Sequence, residues 1–466
     1  MVGRFFRSSP DVPPKTVDVA PTKSEPSPPP KPTVAAAPAS ESGLPDMVAL
    51  RVNLHRHLLD QINLAILDSM KEDNVLDELR PMVREYAKTH NIPLNTKELD
   101  QLTKDLADEM LGLGPIEPLL KDDSIADILI VGPNTVFIER GGMLSRTAVR
   151  FKDERHLLRI INKIVSAIGR RIDESSPLVD ARLADGSRVN VAIRPIAIDG
   201  PQVSIRKFSK RPILLEGLVQ RGALPAGMSK VLAAAVEGKV SMVVSGGTGS
   251  GKTTMLNALS GFIPQEERLV TIEDAAELQL QQPHVVRLET RPPSLEGRHE
   301  INQRDLVRNA LRMRPDRIII GEVRGGEAFD MLQAMNTGHE GSMTTIHANN
   351  PRDALSRMEQ MVGMAGMPMS QMSIRSQIAS AIHMIVQLSR LRDGTRRVTA
   401  ISELTGLEGD VVQLQDIMKF HRTGVKDDGT IIGEFRATGI RPRFLADLAS
   451  MGLVIDSKVF DPTQRL

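Results

Sequence analysis

Residues 243–254 read VVSGGTGSGKTT, and this stretch decides the predicted fold. Gly246, Gly251, Lys252 and Thr253 occupy the fixed positions of a phosphate-binding P-loop. The apolar run 240–244 predicts a buried strand before the loop, and residues 252–260 predict a helix after it. A strand, a glycine-rich loop and a helix in this order predict an α/β fold that binds nucleotide.

The residue types of the loop are suited to holding phosphate. A glycine-rich turn lets consecutive backbone N–H groups converge on phosphate oxygens, because no Cβ atom stands in the way. Lys252 supplies a cation for the β- and γ-phosphates of ATP, and the Thr253 hydroxyl is placed to bind Mg²⁺. The predicted nucleotide-binding residues are Gly246, Gly247, Thr248, Gly249, Ser250, Gly251, Lys252, Thr253 and Thr254.

A second predicted strand carries the carboxylate that hydrolysis requires. Residues 317–322 read RIIIGE, an apolar run that ends in Gly321 and Glu322. Ligands of a parallel sheet lie beyond the carboxyl ends of its strands, so we expect Glu322 to face the γ-phosphate. There it would polarise a water or hold Mg²⁺ through one. A solvated loop glutamate is the alternative interpretation.

Two further predicted strands, residues 269–272 and 342–346, also end in polar residues. The first leads into Glu273, Asp274 and Glu277, and the second leads into His347. These strands should therefore deliver polar groups to one edge of the sheet. Considered without a family, a histidine after a strand is more often a hydrogen-bonded structural residue than a reporter of the ligand. This alternative applies to His339 and His347 alike.

The order of these segments resembles that of a known superfamily. The P-loop, TIEDAAEL (271–278), GEVRGGEAFD (321–330) and TGHEGSMTTIHANN (337–350) are similar to its Walker A, Asp-box, Walker B and His-box motifs. These are the secretion ATPases that drive type II and type IV secretion and type IV pili. The segment from Gly112 to about Leu448, with DARLADGSRVNVAIRP, SIRKF and FRATGIRPRF, resembles more narrowly the CpaF-type ATPase of Tad (Flp) pilus assembly.

The resemblance implies roles for the polar residues. Glu322 would be the catalytic base, and Glu273, Asp274 and Glu277 would arrange water and Mg²⁺. His339 and His347 would sense the γ-phosphate. The family fold implied is a RecA-like P-loop NTPase domain preceded by a PAS-like α+β domain, with nucleotide bound between the two.

Arginines are dense between the Asp box and Walker B, and Arg304, Arg308 and Arg312 recur at a spacing that makes one basic stripe on a helix. A solvated face paired with acidic neighbours is one interpretation. Arginine fingers that reach the γ-phosphate, in some cases across a subunit boundary, are the other. Arg304 is retained as a nucleotide-binding candidate, and the resemblance adds Arg194 and Arg206 of the preceding domain.

The chain divides into five predicted segments. Residues 1–45, rich in proline, serine and alanine, predict a disordered tail. Residues 46–111 predict a small helical unit, with Pro81 in the first turn of one helix and Asn95 or Thr96 as the cap of the next. Residues 112–208 predict the α+β domain, including a hairpin at Gly141–Gly142. A hinge at 209–217 leads to the ATPase domain, 218–466, with a C-terminal hairpin and helices.

Composition narrows the function classes. The absence of cysteine excludes disulfides and departs from the four-cysteine zinc module of many secretion relatives. A net charge of +1, 3% aromatic residues and the absence of tryptophan disfavour a motor that acts on nucleic acid. No apolar run is long enough to span a bilayer, and none follows the N-terminal arginines as in a signal peptide.

Composition and motifs by themselves predict a P-loop ATPase with an appended α+β domain and a disordered tail. The resemblance implies that it is cytoplasmic and peripheral to the inner membrane. The resemblance makes it a homohexamer that uses ATP and Mg²⁺ to work an inner-membrane platform in Tad pilus assembly or retraction. A type IV secretion traffic ATPase is the nearest alternative. A nucleic-acid-dependent RecA-like motor and a nucleotide-gated scaffold that binds without turnover are the alternatives from other classes.

Overall fold

The computed structural model describes residues 54, 72–208, 212–291 and 299–464, and these belong to one compact unit. The predicted tail at 1–45, the first predicted helix of the helical unit and residues 209–211 of the predicted hinge lie outside this description. Among the described helices, none is both long enough and apolar enough to cross a membrane.

A helical pair opens the described part of the chain. Helices α1 (Glu72–Thr89) and α2 (Thr96–Met110) bury Val75, Leu79 and Val83 against Leu99, Leu102 and Leu106. Asn95 caps α2 in a capping box with Glu98, as predicted. The prediction for Pro81 is wrong, because this proline lies inside α1. A proline inside a helix destabilises it by about 3 kcal/mol. Burial of each aliphatic side chain of α1 stabilises the fold by about 1.5–3 kcal/mol, so the helix continues through Pro81.

The next elements form an antiparallel sheet of six strands in the order β3-β2-β1-β6-β5-β4. Its strands are β1 (Ile125–Val131), β2 (Thr135–Arg140), β3 (Met143–Arg146), β4 (Leu178–Arg182), β5 (Arg188–Ala192) and β6 (Gln202–Arg206). Before it come a 3₁₀ turn (Gly114–Ile116) and α3 (Glu117–Lys121), and α4 (Glu154–Ala167) joins β3 to β4. The hairpin predicted at Gly141–Gly142 joins β2 to β3. The PAS-like assignment and the domain boundaries stay predictions.

The remaining strands form one nine-stranded sheet in the order β9-β8-β10-β11-β7-β12-β13-β14-β15. They are β7 (Met242–Gly246), β8 (Leu269–Glu273), β9 (Val285–Glu289), β10 (Arg317–Ile320), β11 (Met343–Ile346), β12 (Met384–Arg390), β13 (Arg396–Glu408), β14 (Val411–Val425) and β15 (Ile431–Ala437). The first six strands of this order, from β9 through β8, β10, β11 and β7 to β12, are parallel to one another. The pairs β12–β13, β13–β14 and β14–β15 are antiparallel. Strands β14 and β15 form a hairpin in the C-terminal part of the sheet.

Helices cover both faces of this sheet. They are α5 (Leu215–Gln220), α6 (Ala226–Glu237), α7 (Lys252–Ser260), α8 (Gln303–Ala310), α9 (Glu327–Asn336), α10 (Pro351–Gly363), α11 (Gln371–Ala381) and α12 (Phe444–Ser450). Alternate residues of β7 face opposite sides: Met242 and Val244 pack with α6 and α7, whereas Val243 belongs to the core beneath α9 to α11. This is the α/β, RecA-like P-loop NTPase fold that the sequence predicts.

The register of the parallel strands brings their ends together. Ile346 pairs with Ser245, and Ile320 pairs with both Thr344 and Ile272. The residues that follow β7, β8, β10 and β11 therefore leave the sheet at the same edge. This is the edge at which ligands bind in parallel sheets.

Candidate functional site

The P-loop leaves β7 at this edge and enters α7 at Lys252. Gly249 and Gly251 have φ of +67° and +96°, a conformation that glycine adopts without strain. A Cβ atom on Gly247 would meet no other atom within 4 Å, so this side of the loop is open. No side chain caps the start of α7, and its first N–H groups are available to a phosphate.

Lys252 and Glu322 face each other across the cavity that the P-loop opens onto. The Lys252 Nζ lies 3.7 Å from Glu322 Oε1 and donates to the Gly247 carbonyl at 3.2 Å. Burial lowers the pKa of Lys252, and the neighbouring Glu322 carboxylate opposes this effect. Glu322 Oε2 is held by Arg324 Nη2 at 2.5 Å. The position predicted for Glu322, at a strand tip beside the P-loop, is the one that it occupies.

The acidic residues at the end of β8 and after it take different positions. Glu273 is buried, and its Oε2 accepts from the backbone N–H of Glu277 at 2.7 Å and of Leu278 at 3.0 Å. Burial raises the pKa of Glu273, against the lowering effect of these two hydrogen bonds. Asp274 accepts from Gln303 Nε2 at 2.8 Å and pairs with Arg324 at 3.3 Å. Of the predicted trio, Glu277 lines the cavity, whereas Glu273 and Asp274 are not part of its lining.

The two predicted histidines lie at opposite ends of β11. His347 follows the strand and lines the cavity beside Thr345. His339 precedes the strand, and its Nδ1 is 3.2 Å from the Ala334 carbonyl. The four residues of β11 span about 13 Å in an extended strand. The prediction that His339 reaches the γ-phosphate is therefore corrected: in this chain it lies at the other edge of the sheet.

Arg304 is also corrected, because an acidic partner holds it away from the cavity. Its Nε lies 2.6 Å from Asp330 Oδ2, and its Nη1 donates to the Ala365 carbonyl at 3.0 Å. Arg308 pairs with the same carboxylate at 2.9 Å. The interpretation of this stripe as a paired face therefore holds for both arginines. Arg194 pairs with Glu154 instead, at 3.4 Å.

Several residues of the cavity are not evident from sequence patterns. They are Gly186, Arg188, Lys207, Phe208, Arg324, Arg357 and Arg396. Arg324 follows Glu322 by two residues, so its position after the same strand could have indicated it. Arg188 and Phe208 come from the end of the six-stranded sheet, and only the packing of the two sheets brings them to the P-loop.

Contacts between the two sheets converge on the loop after β8. Arg188 pairs with Glu277 at 3.1 Å and donates to the Ala275 carbonyl. Arg182 pairs with Glu289 at 2.7 Å and donates to the Ala276 carbonyl at 2.9 Å. The acidic loop is thus held from the opposite side by two neighbouring strands of the six-stranded sheet.

The cavity between these parts has a volume of about 670 Å³, which is in the range of small-molecule sites. Its basic residues are Arg188, Arg206, Lys207, Lys252, Arg324, Arg357 and Arg396, against the carboxylates Glu277 and Glu322. Thr248 to Thr254 of the P-loop line it, and so does the predicted Arg206. This excess of positive charge fits a polyphosphate, and the Thr253 hydroxyl and the Glu322 carboxylate are oxygen donors of the kind that Mg²⁺ takes.

A family model and several known proteins are similar to this chain over the segment that contains the site. The family model described as "Type II/IV secretion system protein" matches residues 109–427. A putative conjugal transfer protein of Mycobacterium tuberculosis is 38% identical over 334 residues, which cover 70% of this chain and 94% of that protein. The conjugal transfer protein TrbB of Rhizobium radiobacter is 30% identical, with 67% of this chain and 92% of that protein covered.

Among solved structures, the VirB11 ATPase of the Brucella suis type IV secretion system is 30% identical, with a TM-score of 0.34 and with 62% of this chain and 95% of that chain covered. The matching family model spans the P-loop, the acidic loop, the Glu322 strand and the His347 strand in one continuous segment. The chain is an ATPase, and it belongs to the type II/IV secretion system protein family.

Proposed function

We propose that this ATPase is a homohexameric motor that couples ATP hydrolysis to Tad (Flp) pilus assembly or retraction through an inner-membrane platform. The observation that carries the proposal is the position of the cavity, which lies between the P-loop and the end of the six-stranded sheet. A nucleotide bound there touches both sheets. Its hydrolysis therefore changes the contacts between them, and this change is the source of movement.

The narrower pilus assignment rests on segments outside the general ATPase motifs. DARLADGSRVNVAIRP (180–195) contributes Gly186 and Arg188 to the cavity, and SIRKF (204–208) contributes Arg206, Lys207 and Phe208. These are the segments that resemble the Tad pilus ATPases. Residues that carry this resemblance are thus the ones that would contact nucleotide from the six-stranded sheet.

In the proposed chemistry, Lys252 and the P-loop N–H groups bind the β- and γ-phosphates. Arg324 holds Glu322 Oε2, so that Oε1 remains to accept a proton from the attacking water. Mg²⁺, held by Thr253 and reached by Glu322 through a water, would neutralise charge on the phosphates. Arg188 and Arg206 approach from the six-stranded sheet and would stabilise the negative charge that develops in the transition state.

The motor is proposed to work in the cytoplasm at the periphery of the inner membrane. A partner in that membrane, the pilus platform, would receive the movement of the two sheets. The predicted hinge at 209–217, whose last three residues belong to α5, is the proposed axis of this movement. Nucleic acid is not among the proposed partners.

A second candidate, a type IV secretion traffic ATPase, is favoured by the names of the relatives. Both the mycobacterial protein and TrbB are described as conjugal transfer proteins. The two candidates share the hydrolysis cycle and differ in the cargo. Loss of surface pili in cells that carry only an inactive variant supports the first, and loss of conjugal transfer with pili intact supports the second.

The test is steady-state ATP hydrolysis by the wild type and by Glu322→Gln, with the oligomeric state of each measured by light scattering. General-base catalysis contributes about 10²- to 10⁴-fold, so we expect a loss of this size in kcat with the hexamer retained. Glu340→Gln is the matched control, because Glu340 is exposed near His339, at the other edge of the sheet. Equal rates for wild type and Glu322→Gln would refute the role of Glu322. A hexamer without hydrolysis would favour the scaffold.

A further inference from the structure

The outer side of the P-loop is covered by the end of β12. Leu388 pairs with Gly246 in the parallel ladder, and a Cβ on Gly246 would lie 2.7 Å from the Leu388 carbonyl oxygen. This approach is closer than any real Cβ contact, so Gly246 is required there. The turn between β12 and β13 therefore lies directly against the loop that binds phosphate.

This turn is held in place by several hydrogen bonds. Asp393 Oδ1 accepts from the Thr395 backbone N–H at 3.0 Å and from its hydroxyl at 2.6 Å. Asp393 Oδ2 accepts from the Ile431 N–H of β15 at 2.8 Å. Arg390, at the end of β12, donates to the Gly142 carbonyl of the β2–β3 hairpin at 2.6 Å. The turn is thus fixed both to its own sheet and to the six-stranded sheet.

Arg396, the first residue of β13, reaches the P-loop from the end of this turn. Its Nε donates to the Gly249 carbonyl at 2.8 Å, and its Cδ lies 3.6 Å from where a Cβ on Gly251 would stand. Its side chain is also part of the cavity wall. Arg396 therefore contacts the loop at the two glycines with positive φ.

The bond to Gly249 controls the direction of a neighbouring N–H group. The Gly249 carbonyl and the Ser250 N–H belong to one planar trans peptide, so they point to opposite sides of it. Gly249 has φ of +67° and no side chain, and the N–H of this peptide donates to the Gly247 carbonyl at 3.3 Å, which also accepts from Lys252. A donor that holds the carbonyl outward directs the N–H inward, toward the side where phosphate binds.

We propose that Arg396 is a positioning residue for nucleotide, which orients the Gly249–Ser250 peptide from outside the P-loop through its Nε hydrogen bond. The inference rests on the proposed binding of nucleotide at this loop. It predicts that the N–H donor at the Nε position, rather than the charge of the guanidinium, sets the affinity for ADP.

The test uses three substitutions of Arg396 in the full-length protein. In Arg396→Gln, the side-chain amide N–H stands as many bonds from Cα as the arginine Nε, without charge. Arg396→Met has similar length and no donor, and Arg396→Lys keeps the charge with its N–H groups one bond further out. Arg397→Met is the matched control, because the guanidinium of Arg397 lies 4.6 Å from the ring centroid of Phe420 instead.

The Kd for ADP with Mg²⁺ is measured by calorimetry, together with kcat and KM for ATP and the melting temperature without nucleotide. One net hydrogen bond corresponds to about tenfold in Kd, so Arg396→Met should raise Kd by about that factor. We expect Arg396→Gln to stay within about twofold of wild type and Arg397→Met to equal it. The melting temperatures should agree, and KM for ATP should rise more than kcat falls.

Two results would overturn the inference. Arg396→Met could bind ADP as tightly as wild type, in which case the bond to Gly249 has no bearing on affinity. Alternatively, Arg396→Lys could keep affinity while Arg396→Gln loses it, which would show attraction of the charge to phosphate instead. Lys252→Ala tests the proposed function: if it binds ADP as wild type does, the P-loop is not the site and both proposals fall. If Lys252→Ala loses ADP while Arg396→Met keeps it, only the inference about Arg396 falls.

Discussion

Replacement of Glu273 by glutamine tests how the acidic loop after β8 is held. Glu273 is 3% exposed, and one of its carboxylate oxygens accepts both the Glu277 and the Leu278 N–H. The other oxygen, Oε1, has no hydrogen-bond partner among the described residues. A glutamine carbonyl can accept the same two bonds. The substitution Glu273→Gln therefore removes a buried charge and keeps the loop attached.

The magnitudes follow from these contacts. Glu273→Ala leaves two buried N–H groups without an acceptor, at about 1–3 kcal/mol each, so it should cost about 2–6 kcal/mol in the free energy of unfolding. Glu273→Gln should lower the free energy of unfolding by less than about 1 kcal/mol near pH 5, because the glutamine NH₂ group replaces an oxygen, Oε1, that also lacks a partner. The difference between the two variants measures the two backbone hydrogen bonds.

The pH dependence has a definite sign. Burial raises the pKa of Glu273 above its ordinary value of 4.5, so the folded state keeps the proton where the unfolded state has lost it. The stability that protonation provides is complete below pH 4.5 and is lost as pH rises through the folded-state pKa. Over that window the wild type should lose about 1.4 kcal/mol per pH unit relative to Glu273→Gln.

Urea unfolding between pH 5 and pH 8, without nucleotide, measures these differences. The chain has no tryptophan, so circular dichroism is the signal. Equal destabilisation by Gln and Ala, or an advantage of Gln that does not grow with pH, would refute the reasoning. Because Glu273→Gln keeps the loop, a loss of ATP hydrolysis in this variant reports lost chemistry rather than lost structure.

Two further predictions concern the sheet itself. Arg317 is fully buried and pairs with Glu267 at 2.5 and 2.9 Å, so Arg317→Met should destabilise the fold by about 3–5 kcal/mol in urea unfolding; a loss below about 1 kcal/mol would contradict this. Gly321→Ala would place a Cβ 2.9 Å from Glu273 Cγ, so we expect a lower melting temperature and a lower kcat. Gly363→Ala, where a Cβ meets nothing within 4 Å, is its control and should change neither.

Local patterns predicted much of the fold because they depend on short-range chemistry. The P-loop, the strand that ends at Glu322 and the cap at Asn95 are each specified by a few neighbouring residues. Pro81 was misplaced because a local rule about proline was outweighed by burial of a helix face against α2. Arg304 was misplaced because its partner Asp330 lies on another helix.

Sequence by itself determined that this chain is a P-loop ATPase, since the residues that cradle phosphate form one short motif and the carboxylate ends a second one. It also determined that Glu322 and His347 leave the sheet at one edge, because parallel strands share a direction. Only the tertiary structure decided which side chains reach the cavity. Glu273 turns inward to hold backbone N–H groups, and Arg188 and Arg396 arrive from distant strands. These positions depend on packing between elements, which no local pattern encodes.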